Sequence, residues 1–115
     1  MRDIEEIEST TERQGDTVII KPQGEIDLSR ASSFRNLLAQ AIDDADARVV
    51  VDLRQVPYMD SSGLATLVEA MQLSRRTDTR LVLFGLQEKV RSIFEIARLD
   101  AIFTITETQD DAVVA

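Results

Sequence analysis

A chain of 115 residues, 43% apolar and 30% charged, has the length and composition of a single globular domain. It contains neither histidine nor cysteine, which excludes disulfides, thiolate zinc sites, Cys-His dyads and Ser-His-Asp triads. A formal charge of −8 disfavours contact with nucleic-acid phosphates or anionic lipid and points to protein partners.

Aromatic residues make up only 4%, so the core has to be built from Leu, Ile, Val and Ala. No apolar run approaches the roughly 20 residues that cross a bilayer. The acidic start Met1-Arg2-Asp3-Ile4-Glu5-Glu6-Ile7-Glu8 lacks the apolar stretch of a secretory signal, so the expected location is the cytoplasm, with no membrane partner.

In chain order, residues of about 4–11 read as a weak strand or an irregular lead-in, and Gln14-Gly15-Asp16 as a turn. The β-branched run Thr17-Val18-Ile19-Ile20-Lys21 predicts a strand, able to form a hairpin with the lead-in, and Pro22 and Gly24 are expected to interrupt it. Asp27 or Ser29 can cap a helix reaching about Asp43, in which Phe34, Leu37, Leu38, Ala41 and Ile42 make an amphipathic stripe. Arg48-Val49-Val50-Val51-Asp52-Leu53 is the continuous apolar run of a central strand. A second helix is predicted over 61–76, with Leu64, Leu67, Val68 and Met71 facing the core and Arg75 and Arg76 at its negative dipole end. Arg80 to Phe84 predicts a strand, residues 87–98 a helix lined by Val90, Ile93, Phe94 and Ala97, and residues 102–106 a last strand. A short tail, helical or irregular, follows Asp110-Asp111.

Strands alternating with helices of this length imply an α/β fold with crossover connections. The expected architecture is one domain over residues 1–115, with its core at about 8–112. It holds a mixed, mostly parallel sheet of four or five strands and alternating helices.

One segment needs its own explanation, Met59-Asp60-Ser61-Ser62-Gly63-Leu64, where a strand's exit loop meets a helix start. Asp60 can accept from the free N–H groups of the first turn, and both serines lie at the positive end of the helix dipole. A phosphate on Ser61 would meet that end. Capping alone accounts for Asp-Ser-Ser, but Gly63 in a first turn gives up about 1 kcal/mol of helix propensity against alanine. A small residue there implies close approach, either of a neighbouring backbone or of a partner.

Tyr58-Met59-Asp60-Ser61-Ser62-Gly63-Leu64 resembles the phosphorylation loop of bacterial anti-sigma factor antagonists of the STAS domain superfamily. Gly24-Glu25-Ile26-Asp27 is similar to that family's Gly-x-hydrophobic-Asp segment, and the order of elements agrees over about residues 8–112. Many members carry glycine where this chain has Ala65. The resemblance implies a non-catalytic switch, bacterial and phosphorylated. When unphosphorylated, such a protein binds an anti-sigma factor, itself a serine kinase, and so frees a sigma factor for transcription. A serine phosphatase reverses the mark. It further implies Ser61 as phosphoacceptor with Ser62 in reserve, and Asp27, Asp60, Ser61, Ser62 and Gly63 at the partner surface. No cofactor, metal or nucleic acid is implied.

An enzyme is the first rival, but the four glycines form no phosphate loop, and neither Lys21 nor Lys89 has catalytic spacing to Ser61. The second rival shares the fold: a STAS subunit of a transporter ATPase or of a stress-sensing complex, without a sigma-factor role. The remaining charge runs read as solvated surface, namely Asp43, Asp44 and Asp46 at a helix-to-strand joint and Glu5, Glu6 and Glu8 near an edge.

Overall fold

Three runs of branched aliphatic residues make the centre of the computed structural model, which describes residues 5–115. They form β2 (Thr17–Gln23), β3 (Arg48–Asp52) and β4 (Arg80–Phe84), joined in parallel. β1 (Glu8–Gln14) pairs antiparallel with β2 through the Gly15 turn, and β5 (Thr104–Thr106) adds in parallel beyond β4. The sheet is thus mixed, with five strands in the order β1-β2-β3-β4-β5. Ile4, at the head of the first expected strand, lies outside the described residues.

Alternation along the central strands sends side chains to both faces. Val18, Ile20, Val49, Val51, Leu81 and Leu83 pack under α1 (Ala31–Asp44), α2 (Ser61–Arg76) and α3 (Glu88–Ile96). Ile19, Val50, Val82 and Phe84 face the other way, against Ala112 of the short α4 (Gln109–Ala112). Both faces of the central strands are therefore buried, which is why they read as uninterrupted apolar runs. Phe94 of α3 meets Phe103 edge-on, with ring centroids 5.7 Å apart.

Several expectations need correction. Pro22 does not interrupt β2, which runs on to Gln23 opposite Glu8. The parallel ladder to β3 ends at Ile20–Val51, so Pro22 falls beyond it. Gly24, on the same side of the strand, donates to the Gln55 carbonyl at 2.9 Å, so the donor that proline lacks faces a ladder already finished. The first helix is preceded by a 3-10 turn over Leu28–Arg30 and begins only at Ala31. α3 stops at Ile96, leaving Ala97 exposed as its cap, because Arg98 turns left-handed (φ 62°) into a second 3-10 turn over Leu99–Ala101. Ile102 caps that turn and Phe103 lies in a bend after it, so the last strand begins at Thr104 rather than at 102.

The face of α2 also differs. Its deepest residues are Gly63, Thr66, Leu67, Ala70 and Ser74, whereas Leu64, Val68 and Met71 are only partly buried at the flanks. Small residues let the helix approach the sheet and α1 closely, so the larger aliphatics pack along its edges. The buried hydroxyls are satisfied within the helix, Thr66 donating to the Ser62 carbonyl at 2.8 Å and Ser74 to that of Met71 at 2.7 Å. Asp43, Asp44 and Asp46 are exposed, as their reading as a solvated joint requires.

Candidate functional site

The exit loops of β2 and β3 meet at the carboxyl ends of the strands, the side of an open α/β sheet where function collects. They join in a single parallel bridge, Ile26 to Met59. The Ile26 N–H donates to the Tyr58 carbonyl at 3.0 Å, and the Asp60 N–H to the Ile26 carbonyl at 3.1 Å. Both bridging side chains are fully buried, which fixes the two loops to the core.

Each loop then runs into a helical turn in the same way. Asp27 and Asp60 follow the bridge residues with near-identical extended backbones, φ −116°, ψ −173° and φ −92°, ψ −173°. Asp27 accepts from the Ser29 N–H at 3.1 Å and the Ser29 hydroxyl at 2.6 Å. Asp60 accepts from the Ser62 N–H at 2.9 Å, the Ser62 hydroxyl at 2.5 Å and the Gly63 N–H at 3.3 Å. The two expected acidic residues are thus brought side by side as twin caps.

These bonds set the electrostatics. Hydrogen bonding from the Ser29 hydroxyl, foremost, holds the Asp27 carboxyl below its ordinary pKa. Burial pushes Asp60 upward, but donation from the Ser62 hydroxyl and from the N–H groups of Gly63, Ser62 and Leu28 outweighs it, and the net shift is downward. Asp60 therefore occupies two of the first-turn donors that a phosphate would use. The helix start is less open to an anion than the sequence suggests.

The two serines are not equivalent. Ser62 is half-buried with its hydroxyl committed to Asp60, while Ser61 is exposed and its hydroxyl has no hydrogen-bond partner among the described residues. Gly63 faces inward, which corrects its expected place on a partner surface. A Cβ there would lie 2.4 Å from Met59 Cγ, 3.1 Å from Ile26 Cγ2 and 3.2 Å from the Ile26 carbonyl oxygen. The close neighbour that its smallness implies is the chain's own bridge.

Sequence reasoning missed two residues here. Asp52, read as part of an apolar run, is a fully buried carboxylate that accepts from Arg54 Nη2 at 2.8 Å and from the Arg54 N–H at 3.0 Å, with Lys21 at 3.9 Å. Arg54 in turn lies over the Phe84 ring, 5.0 Å from its centroid, so the pair shapes the loop that delivers Tyr58 and Met59. Leu28, 77% exposed, stands in the twin turn with its N–H directed at the Asp60 carboxylate. The signal for it was the repeated pattern hydrophobic-Asp-x-Ser in Ile26–Ser29 and Met59–Ser62.

Among the described residues, no group of three or more His, Cys, Asp or Glu is placed to hold a metal. No helix among them is long and apolar enough to cross a membrane.

Comparison with known proteins supplies a frame for this geometry. Residues 8–112 match the STAS domain family. An anti-sigma-B factor antagonist of Listeria monocytogenes is 34% identical over 100 residues, covering 87% of this chain and 88% of the relative. The crystal structure of an anti-sigma factor antagonist from Mycobacterium paratuberculosis superposes with a TM-score of 0.84 at 22% identity, covering 94% of this chain and 92% of that one. The Bacillus cell-fate determinant SpoIIAA in its phosphorylated form superposes with a TM-score of 0.69 at 22% identity, covering 92% and 96%.

Proposed function

The chain belongs to the STAS domain family, and from that premise we propose that it is an anti-sigma factor antagonist whose binding is switched by phosphorylation of Ser61. In this reading the unphosphorylated form binds an anti-sigma factor with serine kinase activity and thereby releases a sigma factor. ATP supplies the phosphoryl group, a serine phosphatase removes it, and the protein catalyses nothing itself. Its place of action is the cytoplasm.

The observation that carries the reading is the contrast between the two hydroxyls. Ser61 is exposed and its hydroxyl has no hydrogen-bond partner among the described residues, whereas Ser62 Oγ is bound to Asp60 at 2.5 Å. A kinase needs an acceptor oxygen that can align with the phosphate donor, and only the first serine offers one without breaking the cap. Asp60 orients the loop and Asp27 supports it from the adjacent turn, so both act as positioning groups.

The test is phosphorylation by purified anti-sigma kinases from the same genome, with site mapping by mass spectrometry. Ser61→Ala should abolish labelling and Ser62→Ala should retain most of it. Full labelling of Ser61→Ala, lost in Ser62→Ala, would move the acceptor to the second serine. Absence of any labelling and of any complex would refute the role.

A further inference from the structure

The bridge that joins the two loops also brings Leu28, the first residue after Asp27, to the cap that precedes Ser61, since the Leu28 N–H is directed at the Asp60 carboxylate. The Leu28 backbone is held from both sides. Asp27 closes its turn through Ser29, the Arg30 N–H donates to the Asp27 carbonyl at 3.1 Å, and the Leu28 N–H faces the Asp60 carboxylate. Its side chain is nevertheless 77% exposed, so it adds little to the core. Exposure alone assigns nothing, since Ile96 is 83% exposed and single surface aliphatics are common. Position is what distinguishes Leu28.

A serine offers a partner one hydroxyl and almost no apolar area. Binding strong enough to hold it in a kinase cleft has to draw on a neighbour, and a large aliphatic group on a fixed backbone can be buried at small entropic cost. The charges around it are acidic: Asp27, Asp60 and the exposed Glu25. Arg30, in the same turn, is engaged with Glu5 at 3.2 Å and with the Glu25 carbonyl at 2.8 Å.

We propose that Leu28 is the apolar anchor by which the kinase acting on Ser61 recognises this chain, seated in an apolar recess with a basic rim beside that kinase's phosphate-donor cleft. The inference rests on the function proposed above and adds a division of labour. The caps orient the serine, and Leu28 selects the partner.

The experiment uses the full chain, ATP and the purified anti-sigma kinases of the same genome. It compares wild type, Leu28→Ser, Leu28→Met and Ile96→Ser for KM and kcat of Ser61 phosphorylation, for Kd, and for thermal unfolding. Leu28→Ser should raise KM and Kd by about 10- to 100-fold with kcat little changed. Leu28→Met should stay within about threefold of wild type, Ile96→Ser should match wild type, and all midpoints should stay close together. A Leu28→Ser KM within about twofold of wild type, or an equal loss in Ile96→Ser, overturns the anchor while leaving the function standing. Failure of every kinase to bind or modify the wild-type chain overturns the functional reading and the anchor with it.

Discussion

Gly63 shows how one missing methyl group can hold a site in place. Alanine would gain about 1 kcal/mol of helix propensity, but its Cβ would fall 2.4 Å from Met59 Cγ and 3.2 Å from the Ile26 backbone oxygen. Methionine usually yields, yet Met59 and Ile26 are both fully buried and joined through the bridge, so there is nowhere for them to go. Overpacking of this kind costs about 1–3 kcal/mol. Gly63→Ala is therefore expected to be destabilising by urea titration despite its better propensity, and a gain in stability would mean that the bridge is softer than described. The capping aspartates make a second residue-scale prediction. Asp27 and Asp60 both have folded-state pKa values below the ordinary 3.8. At pH values between the folded and unfolded pKa, the unfolded state binds more protons. The stability these groups contribute is thus fully present above the unfolded value and is lost as pH falls through the folded one. Asp60→Asn keeps a capping oxygen but loses the charge that favours the helix N-terminus, so it should be less stable at neutral pH by about 0.3–1 kcal/mol, and its stability should fall less steeply below about pH 4. Unfolding midpoints measured from pH 7 down to 3 check this, and parallel curves for the two proteins would rule out Asp60 as a source of the acid sensitivity.

Helix α2 separates what periodicity can reveal from what packing decides. Its bounds were legible to the residue, because Asp60 announces the cap and Arg75-Arg76 the end. Its orientation was not, since an aliphatic stripe marks the more apolar side, and the deepest line of a helix pressed closely on its neighbours is made of small residues. Leu67 belongs to both patterns and Val68 only to the first. Leu67→Ala should cost about 2–5 kcal/mol, and Val68→Ala less than about 1 kcal/mol, since part of its surface is already wet. Equal losses in denaturant titrations would restore the aliphatic stripe as the buried face. The same limit explains the other departures. Pro22 reads as a breaker until it is known that the neighbouring ladder has already ended, and the expected strand start at 102 shifts to Thr104 because Ile102 caps the 3-10 turn that Arg98 opens. At the site, the capping by Asp27 and Asp60 and the place of Ser61 at a helix start were legible from local motifs. Gly63's inward role and the meeting of the two capped turns depend on the Ile26–Met59 bridge, a contact between segments 33 residues apart, and the buried Asp52 depends on the sheet around it; no local window contains either.

At the scale of the whole molecule, the question is whether the proposed phosphorylation would act by contact or through the overall field. The chain carries −8 before modification, and a phosphate adds about −1.5 to −2, so long-range repulsion from a partner of net negative charge competes with a local effect. The fold should tolerate the mark. Ser61 is exposed, so water can hydrate the phosphate, and the dipole of the 16-residue α2 favours it, although Asp60 holds two of the first-turn N–H donors and repels it. A partner pressed against Ser61 would strip that hydration and supply a cavity shaped for a hydroxyl. Such a mismatch costs about 2–5 kcal/mol, or roughly 30- to several-thousand-fold in affinity at about 1.4 kcal/mol per decade. Salt separates the two explanations, because screening over about 8 Å at physiological ionic strength removes remote repulsion and leaves contact effects. Unmodified and phosphorylated proteins should therefore melt within a few degrees of each other, and the phosphorylated form should bind the anti-sigma factor far more weakly at both low and high salt. An affinity gap that closes as salt rises would assign the switch to net charge. Equal affinities at every salt concentration would remove the switch, and a collapsed melting transition would place its action in the twin caps, with the two loops released from the bridge that holds them.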